Sequence, residues 1–256
     1  MILDLSCLLR AGHFFMALPF FYIESFDASQ QLLTLNEETS KHVVQVLRMQ
    51  AGEHLNLTDG KGNLLTAQIT DAHKKHCVVK IQTTNFTPQA PRKTTIAVSL
   101  VKNASRFEWF LEKATEIGIT EIIPLLCDRT ERQHFRYDRM KGILVSAMLQ
   151  SQQTWMPVLH EPTKFEEALR LTPPSDEVLK LIAHCDETER KSITEILSEV
   201  EGANCIILIG PEGDFTTAEI DTAIAEGYKP VMLGETRLRT ETAAVVAATL
   251  IKIRKQ

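Results

Sequence analysis

The sequence predicts two structural classes in succession: a small β-rich domain with one helix, then a larger α/β domain built on a mainly parallel sheet. Three observations predict it. Short alternating strands flank the turn Asp59-Gly60-Lys61-Gly62-Asn63, and five or six strands of this kind commonly close into a small barrel. After residue 93, short apolar runs alternate with amphipathic helical patterns, as in successive βαβ units. Between the two lies TPQAPRK, residues 87 to 93, whose two prolines among polar residues read as a linker.

Composition sets the outer bounds. A chain of 256 residues is long enough for one large or two ordinary domains, and 44% hydrophobic content supplies packed cores. A net charge of −5 excludes a uniformly positive surface, so any nucleic-acid contact is local. The five cysteines have no C-x-x-C pair and sit mostly inside apolar runs. They read as reduced thiols of a cytoplasmic protein, with neither disulfides nor structural zinc expected. Residues 1 to 15 carry Asp4 and Arg10 and lack a basic start, so they read as an N-terminal extension rather than a signal peptide. No run approaches the ~20 apolar residues of a membrane span.

Each element has its own signal. Asn36 is expected to cap a helix running through Arg48, with Val43, Val44, Val46 and Leu47 on one side. Residues 54 to 58 and 64 to 70 form the hairpin arms, and Cys77, Val79 and Ile81 alternate in a further strand. His73, His76 and Cys77 have a metal-like spacing, but without a second ligand pair they read as a polar turn and a strand start. Residues 94 to 101 form a buried strand. Residues 102 to 118 form an amphipathic helix with Phe107, Phe110, Leu111, Ala114 and Ile117 inward, ended by Gly118. The strand from 121 to 127 contains Pro124, marking a kink or an edge. Met140, Leu144, Ala147 and Met148 mark a helix that ends in QSQQT; Thr163 and Glu166 cap a short one, and residues 178 to 184 form another strand.

The most informative stretch runs from 205 to 251. Cys205 to Ile209 is a β-branched apolar run suited to a strand buried on both faces. Gly210-Pro211-Glu212-Gly213 stops it, giving a stiff loop open to close approach. Thr216 and Glu219 form a capping box, so a helix runs from there to Gly227. Residues 230 to 233 form a strand ending at Gly234, and ETRLRTET leads into a small-residue helix from Ala243 to Ile251. Two strand ends therefore meet two polar loops, where parallel sheets bind their ligands. Such loops admit a phosphate, a dinucleotide or an adenosine-bearing cofactor. No G-x-G-x-x-G opens a helix, and no lysine accompanies a helix start at the glycines. An adenosine-bearing cofactor, whose neutral adenine needs an apolar slot with backbone donors and acceptors, fits better than either.

The order LIGPEG, then LG about twenty residues later, then RLRTETA resembles the signature of the SPOUT methyltransferases, specifically the group that methylates N3 of a uridine in small-subunit ribosomal RNA. The resemblance covers residues 16 to 256. It implies a PUA-like RNA-binding barrel over residues 16 to 88 and, over residues 93 to 256, a SPOUT domain with a knotted parallel sheet flanked by helices. It further implies that S-adenosyl-L-methionine is wrapped by Leu208, Ile209, Gly210, Pro211, Glu212 and Gly213, by Leu233 and Gly234, and by Leu238, Arg239, Thr240, Thr242 and Ala243.

Uridine N3 carries a proton that must leave. Arg239 is the candidate for stabilising the resulting anion, and Glu241 for orienting Arg239 or accepting the proton; a structural ion pair between the two competes with this. RNA contacts are assigned to Lys41, His42, Arg48 and Lys61 in the first domain, and to Lys102, Arg106, Arg129, Arg132, Gln150 and Ser151 in the second. A solvated surface is the competing reading for Lys41 and Lys61. The family's E-Q-S-x-R is matched at Gln150 and Ser151, while Leu149 and Thr154 replace its two charges. Ala243, Ala244, Ala247 and Ala248 let the last helix pack closely on another backbone; a buried intrachain helix would explain them, and the homodimers of this family point to a subunit interface. A SPOUT enzyme for a ribose or for a guanine in transfer RNA is an alternative, as is a non-catalytic ribosome-assembly factor.

Overall fold

The computed structural model describes residues 18–131, 134–171, 178–185, 190–200 and 202–254; the expected extension at 1 to 15 lies outside them. The chain divides into two compact units. One runs to Asp59 and resumes over Asn63–Phe86, and the other comprises Gly60–Gly62 and the chain from Thr87 onward.

The first unit contains β1 (Phe20–Tyr22), β2 (Leu32–Thr34), α1 (Glu37–Lys41), β3 (His54–Thr58), β4 (Asn63–Asp71) and β5 (Val78–Phe86). The strands form one sheet in the order β1-β3-β4-β5-β2. Side-chain alternation sends Leu55, Leu57, Leu65, Ala67, Ile69 and Val79 into a common core, and register shifts between β4 and β5 bend the sheet. Among the described residues β1 and β2 remain its two ends, so it curls into a half-barrel rather than a closed one.

The helix of this unit departs from its expected form. Asn36 does cap it, accepting from Thr39 N at 2.8 Å. At His42, however, α1 gives way to a π-helical turn, His42–Val46, and Arg48 takes a left-handed φ of +56°. The wider turn breaks the 3.6-residue period. Val43 stays in the core, whereas Val46 and Leu47 are 65% and 44% exposed.

The second unit contains β6 (Thr94–Ser99), α2 (Ala104–Ile117), β7 (Glu121–Leu126), α3 (Tyr137–Gln150), β8 (Val158–Leu159), β9 (Thr163–Lys164), α4 (Phe165–Leu171), β10 (Val178–Ala183), β11 (Lys191–Ser192), α5 (Ile193–Glu199), β12 (Asn204–Ile209), α6 (Thr217–Ala225), β13 (Lys229–Met232) and α7 (Thr240–Ile253). Its strands pair in parallel throughout. Their order is β11-β13-β10-β12-β6-β7-β8, with β9 also beside β7. Ile96, Val98, Ile207 and Ile209 enter one core cluster, while Ala97, Ile206 and Leu208 enter the other, which is why these strands read as unbroken apolar runs.

Local signals place the helices closely. Asn103 caps α2 by accepting from Ser105 N, and Gly118 closes it with φ +83°. Pro124 lies mid-strand, opposite Val98 of β6. The other flank of β7 is split: β8 faces Glu121 and Ile122, and β9 faces Leu125 and Leu126. Pro124 falls in the gap, where its missing N–H costs no ladder bond. Thr163 does not cap α4; it pairs with Leu125 in β9 and its hydroxyl donates to Glu161 O.

The last helix corrects another expectation. Ala244, Ala247, Ala248 and Ile251 are buried in the chain's own core, and α7 packs against α2 and β6. Ala244 and Ala248 therefore do not face a partner subunit; their small side chains let α7 sit close to its own sheet. We expect Ala248→Glu to bury an uncompensated charge and cost roughly 3 kcal/mol or more. Denaturation monitored by circular dichroism should show a lost or much weakened transition, whereas a stably folded monomer in sedimentation would restore the interface assignment.

Candidate functional site

The loop after β12 is anchored at its far end by Phe215, buried against Phe165 with ring centroids 5.4 Å apart. Asp214 takes φ +63° and its N–H donates to Pro211 O at 3.0 Å, so the chain turns tightly. Neighbouring strand ends then brace the loop. Glu212 accepts from Lys102 N at 3.0 Å, and Asp214 accepts from Cys185 N at 2.7 Å. Arg129 donates to Gly213 O at 2.7 Å and Phe215 O at 3.3 Å. Behind them, the capping-box residue Glu219 also accepts from Asp128 N at 3.0 Å.

The loop after β13 runs over Gly234, which has φ +152°; a Cβ there would meet nothing within 4 Å. It ends at Arg239, the N-cap residue of α7, whose carbonyl accepts from Ala243 N at 2.7 Å. The Arg239 side chain is exposed. It makes no hydrogen bond or ion pair among the described residues. Glu241 does not pair with it. That carboxylate is buried, 3.6 Å from Arg106 Nε of α2, and its Oε2 has no hydrogen-bond partner among the described residues.

These loops and the end of β10 enclose a cleft of about 350 Å³ at the carboxyl edge of the sheet. Its wall combines apolar side chains, such as Ile209, Val231 and Leu238, with backbone of the glycine loops and the charges of Arg190, Arg237, Arg239, Glu212 and Asp214. Of the cofactor residues read from sequence, Ile209, Gly210, Pro211, Glu212, Leu233, Gly234, Leu238, Arg239, Thr240 and Ala243 line it; Leu208, Gly213 and Thr242 do not. Leu208 points into the core, and Gly213 lies against Arg129. Further lining comes from Ala183, His184 and Cys185, and from Arg190, Asp214, Val231, Met232, Thr236 and Arg237, none of which the sequence assigned to the cofactor. Strand order supplies the first three, because β10 lies between β12 and β13. Burial pushes the Cys205 thiol up to about 12 and that of Cys127 further still, so neither is reactive, while Cys185 is exposed at the cleft.

The residues assigned to RNA are dispersed. Lys41, His42 and Arg48 are exposed on the first unit, with the His42 ring edge-on to Phe21 at 5.6 Å. Lys61 is exposed, and its backbone bridges to Trp155. Lys102 pairs with Glu131 at 2.8 Å, Arg106 with Glu241, and Arg129 with loop carbonyls. Gln150 is exposed at the end of α3, while the Ser151 hydroxyl donates to Ala147 O at 2.7 Å and closes that helix. Arg132 lies outside the described residues.

Two family models match the chain: an RNA methyltransferase domain over residues 88–252 and an RNA methyltransferase PUA domain over residues 35–82. A ribosomal RNA small subunit methyltransferase E from Synechocystis sp. is 31% identical, with 86% of this chain and 72% of that protein covered. A solved structure of a probable rRNA-methyltransferase from Porphyromonas gingivalis superposes with a TM-score of 0.82 at 37% identity, covering 91% of this chain and 97% of the other. A ribosomal RNA small subunit methyltransferase E from Neisseria gonorrhoeae, bound to S-adenosyl methionine, has a TM-score of 0.80 at 28% identity, covering 92% and 97%.

The two loop glycines differ in what surrounds them. A Cβ at Gly210 would lie 3.1 Å from the buried Phe215 ring, whereas one at Gly213 would meet only the flexible Arg129 side chain at 3.3 Å. Gly210→Ala should therefore cost about 1–3 kcal/mol by overpacking, and Gly213→Ala less than about 1 kcal/mol. Urea denaturation reads both, and the reverse order would contradict the packing described.

Proposed function

The chain belongs to the family of ribosomal RNA small subunit methyltransferase E, and from that membership we propose that it methylates N3 of a uridine in small-subunit ribosomal RNA, using S-adenosylmethionine. The observation that carries this reading is the convergence of the β10, β12 and β13 ends on one cleft of mixed chemistry. Ile209, Val231 and Leu238 offer an apolar slot for an adenine, and the Gly234 backbone leaves open space. The charges at the rim suit a zwitterionic methionine moiety. The residues present thus fit the cofactor.

When bound, S-adenosylmethionine supplies the methyl group and a neutral thioether leaving group, so the chain's own task is alignment and charge control. Loss of the uridine N3 proton places negative charge on the uracil oxygens. Arg239 is exposed at the cleft without an internal partner, so its guanidinium is free to meet that charge. Glu241, buried against Arg106 and outside the cleft lining, fixes the first turn of α7 and thereby the position of Arg239. The exposed cations of the first unit, Lys41, His42 and Arg48, hold RNA phosphates. The protein works in the cytoplasm as a homodimer.

Incubating small ribosomal subunits with protein and methyl-labelled S-adenosylmethionine, then digesting the RNA for mass spectrometry, tests the reading. We expect label in 3-methyluridine; label in a ribose or a guanine would assign another specificity, and cofactor binding without transfer would leave an assembly factor. Arg239→Lys should lower the single-turnover rate about 10²-fold or more with little change in cofactor affinity, because lysine keeps the charge and loses the planar fork. A near-wild-type rate constant would remove Arg239 from the chemistry. Iodoacetamide near about pH 8 should label Cys185 and spare buried Cys77, Cys127 and Cys205. Saturating S-adenosylmethionine should slow that labelling, and an unchanged rate would place the cofactor elsewhere.

A further inference from the structure

The His184–Cys185 peptide, just beyond the end of β10, is held at both of its polar atoms. Its carbonyl accepts from Arg190 Nη1, and its N–H donates to Asp214 Oδ2 at 2.7 Å. A trans peptide aims these two groups in opposite directions. A cation on one side and an anion on the other therefore oppose any rotation of the plane, through charge-assisted bonds stronger than neutral ones. Arg190, Asp214, His184 and Cys185 all line the cleft.

The backbone of Asp214 adds a second argument. Its φ of +63° costs most residues about 1–2 kcal/mol, and aspartate tolerates it through local hydrogen bonds. Here Oδ1 accepts from Phe215 N at 2.9 Å. Glycine would adopt the same φ without the penalty, so the turn alone gives no reason for a carboxylate. The bond to Cys185 does.

We propose that Asp214 and Arg190 are positioning residues for S-adenosylmethionine: together they fix the His184–Cys185 peptide as a rigid part of the cleft wall. The proposal rests on the reading of this cleft as the cofactor site. Neither residue takes part in the proton or methyl transfer.

Calorimetric titration with S-adenosylmethionine, beside melting of the cofactor-free protein, tests it on the wild type, Asp214→Gly, Asp214→Asn and Arg190→Ala. Asp214→Gly should melt close to the wild-type temperature, because relief of the φ penalty offsets the lost hydrogen bonds and the added freedom of the unfolded chain. It should nevertheless bind the cofactor about tenfold more weakly, the worth of one charge-assisted hydrogen bond. Asp214→Asn keeps an acceptor and tolerates the same φ, so it should recover most of the affinity. Arg190→Ala should weaken binding similarly, and combining it with Asp214→Gly should add little, since both hold one peptide. Wild-type affinity in Asp214→Gly would overturn the proposal, as would a lower melting temperature that Asp214→Asn fails to rescue. A wild-type protein that binds no S-adenosylmethionine would instead overturn the cofactor reading itself.

Discussion

Where parallel strands end, the amides of the following loops have no further ladder to join, so each takes its partner from a side chain or from water. Three such ends, β10, β6 and β7, lie around the end of β12 here. Carboxylates answer the constraint. Glu219 takes the N–H of Asp128, Glu212 that of Lys102 and Asp214 that of Cys185. Each bond joins the segment after β12 to a different strand end, and each is of the stronger, charge-assisted kind. The segment from Gly210 to Phe215 is thereby fixed from its sides, while Gly210, Pro211, Glu212 and Asp214 still line the cleft.

Much of this was legible in the sequence because local and tertiary demands coincide. The capping box at Thr216 and Glu219, the Asn103 cap and the left-handed Gly118 act within one turn of their helices. The apolar runs of β6 and β12 are strands because both faces meet a core. What could not be read is adjacency. Strand β10 lies between β12 and β13 although it precedes both in the chain, so His184 and Cys185 enter the cleft from a segment without a motif. Glu241 finds Arg106 across the fold for the same reason. Asp214 belongs to no motif in the sequence; its φ and its partner come from tertiary structure. In the first unit, four valines and leucines at helical spacing gave no sign of the π-helical turn that sends two of them outward.

The cations of the second unit divide by how firmly they are held. Lys102 and Glu131 are both well exposed, and such a pair is worth little, so either member is easily released to a phosphate. Arg106 is different, since its departure would strand a buried carboxylate. Arg129 is spent on two carbonyls of the loop after β12. Cations counted along the sequence are therefore a poor measure of the positive surface that folding leaves for RNA.

The split flank of β7 matters beyond the accommodation of Pro124. The eight-stranded sheet ends in β11 on one side and in β8 and β9 on the other, each only two residues long. A long, flat, unpaired strand invites another molecule to add its own backbone, and parallel sheets are exposed to that hazard while they form. Here a second chain would find two hydrogen-bonding residues at a time, interrupted by a proline, so this sheet offers little template for edge-to-edge pairing.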